Sequence, residues 1–339
     1  MNINKIIEYA QSKDIFELEK LRKEAFRIRK SNYNDYLHLY FPTMYPYKIP
    51  SHKPSNFYKF VSTSITGNGC ALNCDHCMGT MLHSMNHTLT PESLYDLAKQ
   101  IVSHEGYGIL ISGGALSDGR VPLEPFLPII KKIKYDLDLT ITVHTGIPTR
   151  EIVEGLHESE VDSVMIDVIG DIETMHNVYH LHRTPNDIYN AIEMFNEFSI
   201  PVTPHILIGL NYGHVKGEWL ALQELVKYTI AALVFIILIP LRNTPMANVQ
   251  SPPPSLVGRL VSAARVLFPL IPINIGCARP MGSHKIETDK IAIDSGINGL
   301  VYPSQEGVDY AIKKGLKPIY RDICCSVVQK DIILHKLVL

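Results

Sequence analysis

The sequence has no apolar stretch long enough to cross a bilayer. Its longest, residues 228–241, is too short and too rich in β-branched residues, and reads as a buried strand. No charge of one sign dominates: 32 Lys and Arg against 34 Asp and Glu leave a net charge of −2, without the basic excess of a nucleic-acid binder. The opening MNINKIIEYAQSKD lacks the apolar core and cleavage site of a secretory leader, so the expected location is cytoplasmic. Cysteine is scarce at six, and without a secretory signal those six point to metal rather than to disulfides. No repeat or low-complexity tract occurs. What is there is a chain of 339 residues, 46% of them apolar, enough to bury a large core.

Residues 1–30 predict two short helices. Lys20, Arg22, Lys23, Arg27, Arg29 and Lys30 interleave with Ile15, Leu18, Leu21, Ala25 and Ile28 at helical spacing, which gives an amphipathic helix with one solvated basic face. A docking surface for an acidic carrier protein is the alternative reading of that face. A Tyr-, Pro- and His-rich lead over residues 32–55 is expected to wrap a surface. From Phe60 onward, short β-branched or apolar runs alternate with helical-period segments. The runs cover residues 61–66, 107–112, 139–143, 163–167, 202–208, 232–239, 271–275 and 297–301, eight in all. Between the first two, Thr90 caps a helix with Pro91 at its first position and Leu94, Leu97, Ala98 and Ile101 on one stripe. Later, Pro254 opens a helix that Pro269 stops. The expected fold is α/β, a closed (β/α)8 TIM-type barrel (61–315) with an N-terminal helical extension (1–60) and a cysteine-bearing C-terminal tail (316–339). Chemistry in such a barrel sits at the carboxyl ends of the strands.

Half of the cysteines follow the first run. Cys70, Cys74 and Cys77 stand at C-x3-C-x2-C, three thiolates for a four-iron cluster that usually takes four. With no fourth cysteine nearby, one iron is left open for a ligand that takes part in chemistry. Zinc is the bland alternative, with Cys74, Cys77, His83 and His87 as ligands. Only five residues separate Cys77 from His83, too few for a finger, and Cys70 would be idle. After the second run, Gly113 and Gly114 remove side chains at a strand end, as a tight turn or as a place where a ligand approaches the backbone. His144 and His205 read first as satisfied structural histidines, with a place facing the cavity as the alternative.

The triple spacing and the segments around it resemble the radical S-adenosylmethionine enzymes. The resemblance implies a 4Fe-4S cluster whose open iron is chelated by S-adenosylmethionine, with Gly113 and Gly114 contacting the methionine amino group. Ala115 stands where many members carry glutamate, so only the backbone role transfers. The stretch 165–183 resembles the fourth-strand region of biotin synthase and of the hydrogenase maturase that shares its barrel. It implies that Asp167, with Asp171 as its rival, together with Glu173 and Arg183, grips the ribose and the methionine carboxylate. An acid can accept ribose hydroxyl hydrogens, and an arginine can fork onto a carboxylate. The strand ends around Gly209 and residues 239–245 resemble the adenine-holding segments of the same relatives.

Cys277 and Arg279 in GCARPMG, the vicinal pair Cys324 and Cys325, and the stretch PHILIGLNYG look like the biotin-synthase-like proteins of archaea and some bacteria. Arg279 falls where biotin synthase uses an arginine ligand, although the strand cysteines expected beside it are missing. Cys277, Cys324 and Cys325 suffice for a second 4Fe-4S cluster if a fourth ligand comes from another group; free core thiols or a redox pair are the alternatives. One branch of these relatives acts in a two-protein lipoyl synthase. That branch implies sulfur insertion into an octanoyl chain on a lipoyl-carrier protein or glycine-cleavage H protein. It also implies a companion biotin-synthase-like protein and an electron donor such as ferredoxin. A mutase or metal-cofactor maturase without sulfur insertion, and a non-enzymatic iron-sulfur scaffold or electron carrier, are the rival readings.

Overall fold

The computed structural model describes residues 2–337, with side chains to residue 333. Helices α1 (Ile3–Gln11) and α2 (Ile15–Asn32) precede β1 (Tyr36–Tyr40). The alternation then runs β2 (Phe60–Ser64), β3 (Asn86–His87), α3 (Pro91–Ser103), β4 (Gly108–Ser112), α4 (Leu127–Leu137), β5 (Thr140–His144), α5 (Arg150–Glu158) and β6 (Ser163–Asp167). It continues through α6 (Ile172–Asn177), α7 (Pro185–Glu197), β7 (Val202–Ile208), α8 (Glu218–Leu225), β8 (Leu233–Ile237), α9 (Pro254–Leu267), β9 (Ile273–Ile275) and α10 (Ser283–Asp294). The last elements are β10 (Gly299–Val301), α11 (Gln305–Lys313), β11 (Lys317–Arg321) and α12 (Val328–Leu337). Helix α3 begins as its sequence dictates, with Pro91 in the first turn and a reciprocal Thr90–Ser93 capping box. No described helix is long and apolar enough to cross a membrane.

All strands are parallel and form one curled sheet in the order β11-β1-β10-β9-β8-β7-β6-β5-β4-β2-β3. Each of the eight expected runs overlaps one of its strands. The closed barrel, however, is not what forms: the order ends at β3 and β11, and no described ladder joins those edges. The reason lies in Tyr36–Tyr40, within the lead expected only to wrap a surface. This strand takes the edge of β10 that closure onto β2 would use, and β11 adds beyond it. Gly299 permits the contact, because a Cβ there would meet Asn274 Oδ1 at 2.6 Å and the Tyr40 ring at 2.8 Å.

Alternation along the strands sorts side chains to two sides. Ile109, Ile111, Ile141, Val143, Ile206 and Ile208 belong to the core shared with the helices. Phe60, Val234 and Val301 pack inside the curl against Val327, Val328 and Ile332 of the tail. A barrel interior is usually filled by branched apolar residues. Here polar side chains among them tether the tail: Asn274 donates to the Cys325 carbonyl (3.0 Å) and Thr203 to that of Ser326 (3.2 Å). Tyr40 donates to Asp331 (3.0 Å), which also pairs with Arg321 at 2.5 Å.

The basic face of α2 is largely neutralised. Lys23 pairs with Glu19, Arg27 with Glu24, and Lys30 with Asp35. Arg29, expected on that solvated face, is instead buried, donating to the carbonyls of Asn34 (2.6 Å), Tyr36 (2.5 Å) and Ile297 (3.3 Å).

Candidate active site

The loop after β2 is built from turns that need few side chains. Ser64 donates to the Gly67 carbonyl (2.7 Å) and Thr66 to that of Gly69 (2.9 Å). The Gly114 N–H donates to the Thr66 hydroxyl (2.7 Å), and Ala71 N–H to the Ala115 carbonyl (2.8 Å), docking the loop on the end of β4. Gly114 is close to Gly69: a Cβ on Gly114 would lie 1.9 Å from the Gly69 carbonyl oxygen and 2.6 Å from the Cys70 Cα. Asp75 clamps the far side, its backbone N–H donating to the Val178 carbonyl (2.9 Å) and its carboxylate pairing with His180 (2.9 Å) and accepting from the Tyr212 hydroxyl.

The loop brings Cys70, Cys74 and Cys77 to the wall of a cavity of about 360 Å³ inside the curl. The ligand atoms of Cys74, His76 and Cys77 lie within 4.8 Å of one another. His83 and His87, both exposed, are outside that group, so the alternative zinc set of two thiolates and two imidazoles is not assembled. A hydrogen bond with Cys74 pulls the Cys77 thiol below the usual thiol range, and the same bond pushes Cys74 up. His76 stacks on Tyr179 with ring centroids 5.1 Å apart.

Gly113, Gly114 and Asp167 line this cavity as well. The Asp167 carboxylate is 3.6 Å from His144 Nε2 and accepts a bond from the Tyr179 hydroxyl (3.3 Å). Side-chain exposures of 33% for Asp167 and 27% for His144 open onto the cavity rather than bulk solvent. Burial alone would raise the Asp167 carboxyl, but His144, His205 and His76 outweigh it and hold it down at about 2. His144 is raised: burial opposes its charge, and Asp167 wins. His205 has no such direct partner and burial lowers it to about 4. Both histidines thus face the cavity, the alternative to the structural role read first from sequence.

Other expected contacts lie elsewhere. Glu173 is paired with Lys216 and is mostly exposed. Arg183 is 3.6 Å from Asp187 on the surface, and Asp171 caps α6 by accepting from Thr174 N–H (2.8 Å). Gly209 makes a turn at φ +82°, its N–H donating to buried Glu218 (2.7 Å), and a Cβ there would strike Pro252 at 2.2 Å. None of these four lines the cavity. Sequence reading passed over His76, Tyr179 and the Asp75 clamp; the only signal was their position inside CDHC and NVYHLHR.

The late cysteines converge on the same space. Cys277, after β9, and Cys324 and Cys325, on the tail, all line the cavity that the first three enter. Ser326 donates to Cys324 Sγ (3.1 Å). Bonding with Cys325 lowers the Cys324 thiol to about 7, whereas burial, reinforced by Cys324, pushes Cys277 up to about 11. Arg279 does not join them. Its guanidinium, 1% exposed, pairs with buried Asp289 and donates to the carbonyls of Val301 (2.7 Å) and Tyr302 (3.1 Å). A charge so enclosed by its own partners is spoken for, which corrects the expectation of Arg279 as a catalytic ligand.

Cys70, Cys74 and Cys77 thus line the cavity beside backbone freed of side chains by Gly113 and Gly114, a donor set that fits an iron-sulfur group, while Cys277, Cys324 and Cys325 line the same cavity without forming a compact metal-holding group among the described residues.

Comparison with known proteins agrees with this geometry. Among solved structures, the chain is similar to the crystal structure of methylornithine synthase (PylB), with TM-score 0.65 and 15% identity, covering 100% of this chain and 96% of that one. It is similar also to the FeFe-hydrogenase maturase HydG from Carboxydothermus hydrogenoformans, with TM-score 0.67 and 16% identity over 94% of this chain and 76% of that one. At such identities the likeness is one of fold. No curated protein sequence matches the chain significantly. Residues 64–218, which begin at the cluster loop's own strand end, match the Radical SAM superfamily.

Proposed function

We propose that the protein is a radical S-adenosylmethionine enzyme that adds sulfur to an octanoyl chain held in amide linkage on a lysine of a carrier protein, a lipoyl-carrier domain or a glycine-cleavage H protein. The observation that carries this reading is the meeting of two separate three-cysteine sets on one cavity. When bound, a cluster with S-adenosylmethionine at the first set supplies a 5'-deoxyadenosyl radical, and a cluster at the second set supplies sulfide.

The chain's own residues do the rest. Cys70, Cys74 and Cys77 hold the first group at one wall, while the bare backbone at Gly113 and Gly114 leaves room for the methionine end. Asp167, ionised across the physiological range, accepts from ribose hydroxyls. Cys277, Cys324 and Cys325 hold the second group deeper in the curl, where the tail is tethered. Between them the wall is apolar, with Leu110, Met165, Leu207, Ile236 and Val301 among its residues. Such a wall suits an aliphatic chain, keeps out water, and orients the reacting carbon before it can meet another hydrogen source. A charged amino-acid substrate, as a mutase or maturase would take, finds few partners there beyond Asp167, His144 and His205. A companion biotin-synthase-like protein for the other sulfur, a ferredoxin-type electron donor and a cytoplasmic location complete the reading.

Anaerobic reconstitution followed by iron analysis tests it. Two four-iron clusters give about eight irons per chain, whereas about four favours a radical enzyme without sulfur insertion. Absence of 5'-deoxyadenosine from reduced protein given S-adenosylmethionine would leave only a scaffold or electron carrier.

A further inference from the structure

Three loops at the carboxyl ends of the strands meet at one carboxylate. Asp75, which stands between Cys74 and Cys77, accepts from the Tyr212 hydroxyl of the loop after β7 and pairs with His180 of the loop after β6 at 2.9 Å. Its side chain is 13% exposed, and no other carboxylate side chain lies between Phe60 and Pro91 to replace it. Both partners sit in left-handed backbone, His180 at φ +54° and Tyr212 at φ +48°. A bulky side chain keeps such a conformation only where its surroundings hold it, and here both side chains end on the same acid.

Contacts on either side of Asp75 set a register between the cysteine loop and the β6 loop. The Asp75 N–H donates to the Val178 carbonyl (2.9 Å), Cys74 Sγ lies 3.8 Å from the Tyr179 carbonyl oxygen, and the His76 ring stacks on that of Tyr179. Tyr179 in turn donates to Asp167 (3.3 Å), so the register runs from the cysteines to the acid at the end of β6. The β7 loop is braced at its base, where Glu218 accepts from the N–H groups of Gly209 (2.7 Å) and Lys216 (2.8 Å). Asn211 donates to the Thr174 hydroxyl (2.9 Å), and a Cβ on Gly170 would lie 2.1 Å from the Gly217 carbonyl oxygen, so the β6 and β7 loops also touch each other. Tyr212 carries that bracing across to the cysteine loop.

We propose that Asp75 is a positioning residue for the nucleotide. Through Tyr179 it fixes the spacing between the first cysteine set and Asp167, and through Tyr212 it latches the β7 loop against the cysteine loop. Charge-assisted bonds at a shielded carboxylate are strong enough to do this. Loss of the latch leaves the sulfur ligands in place but lets the two ends of the nucleotide site drift, so affinity falls while iron stays. The inference rests on the S-adenosylmethionine part of the function proposed above and is independent of sulfur addition.

The test uses the full chain and three variants, Asp75→Asn, His180→Gln and Tyr212→Phe. In protein without metal, amide hydrogen exchange over residues 178–182 should quicken roughly tenfold in Asp75→Asn and His180→Gln. Over residues 209–214 it should quicken roughly tenfold in Asp75→Asn and Tyr212→Phe. After anaerobic reconstitution each variant should keep the parent's iron content, while its Kd for S-adenosylmethionine rises roughly tenfold. A junction that only stabilises the fold gives the opposite split: a lower melting temperature and lost iron, with unchanged nucleotide affinity in the protein that still holds iron. That split, or parent-like exchange in all three variants, would overturn the proposal. A parent that binds S-adenosylmethionine with the same Kd as its variants removes this role of Asp75 alone; a parent that does not bind it removes the functional reading and this role together.

Discussion

Asp167 and His144, on neighbouring strands, face each other across 3.6 Å at the wall of the main cavity. The carboxylate is ionised yet keeps hydrogen-bonding capacity toward the cavity, since Tyr179 is its only close hydroxyl donor among the described residues. Asp167→Asn preserves shape and removes the charge. Loss of a charge-assisted bond to a ribose hydroxyl is worth about 1.5–3 kcal/mol, so the Kd for S-adenosylmethionine should rise roughly ten- to a hundredfold. Equilibrium binding to the reconstituted protein measures this, and an unchanged Kd would remove Asp167 from the nucleotide site.

His205 predicts a pH dependence of stability. Its folded value, about 4, lies below the ordinary 6.5, because burial disfavours the charged ring. The unfolded chain therefore binds the proton more readily, and stability present above pH 6.5 is lost as pH falls toward about 4. The loss is at most about 3 kcal/mol. Thermal melts across that range should fall less steeply for His205→Gln than for the parent; parallel curves would contradict the assignment.

Gly114→Ala tests the close approach of β4 to the cluster loop. A Cβ placed 1.9 Å from a backbone oxygen cannot be absorbed by a side-chain rotation, so the loop carrying Cys70 must shift. Iron retained at the first site should drop well below about four per chain when measured in a variant lacking Cys277, Cys324 and Cys325. Full iron retention would show that the loop is looser than this packing implies.

Arg279 and Asp289 form a buried pair whose loss should be felt in stability rather than in iron content. Removing one partner strands the other charge, at a cost of about 3–5 kcal/mol, whereas replacing both by apolar residues of similar size is close to neutral. Chemical denaturation of Arg279→Met and of Arg279→Met/Asp289→Leu should show the first strongly destabilised and the second largely restored. A second-site iron loss in the restored double variant would return Arg279 to the ligands.

Sequence periodicity located the eight central strands because each is a short apolar run between helices with strong stop signals, such as Thr90-Pro91 and Pro254. It could not locate Tyr36–Tyr40. Five residues embedded among tyrosines, prolines and histidines carry no decisive pattern, and only pairing with β10 and β11 makes them a strand. That one insertion is why closure was expected and a seam is found. At the site, C-x3-C-x2-C and Gly113-Gly114 were legible because local spacing fixes what they can do. Glu173 and Arg183 were not, since a charge in a loop reads alike whether it faces a ligand or, as here, Lys216 and Asp187. The meeting of Cys277 with Cys324 depends on a tail threaded into the curl, a long-range relation that residue spacing does not encode.

The most direct test is anaerobic incubation of the reconstituted protein with S-adenosylmethionine, a strong reductant and an octanoyl-lysyl peptide, followed by mass spectrometry of the peptide. Sulfur on the octanoyl chain with the parent protein, and none with Cys277→Ala, is the predicted result. Formation of 5'-deoxyadenosine by the parent while the peptide stays free of sulfur would contradict the account.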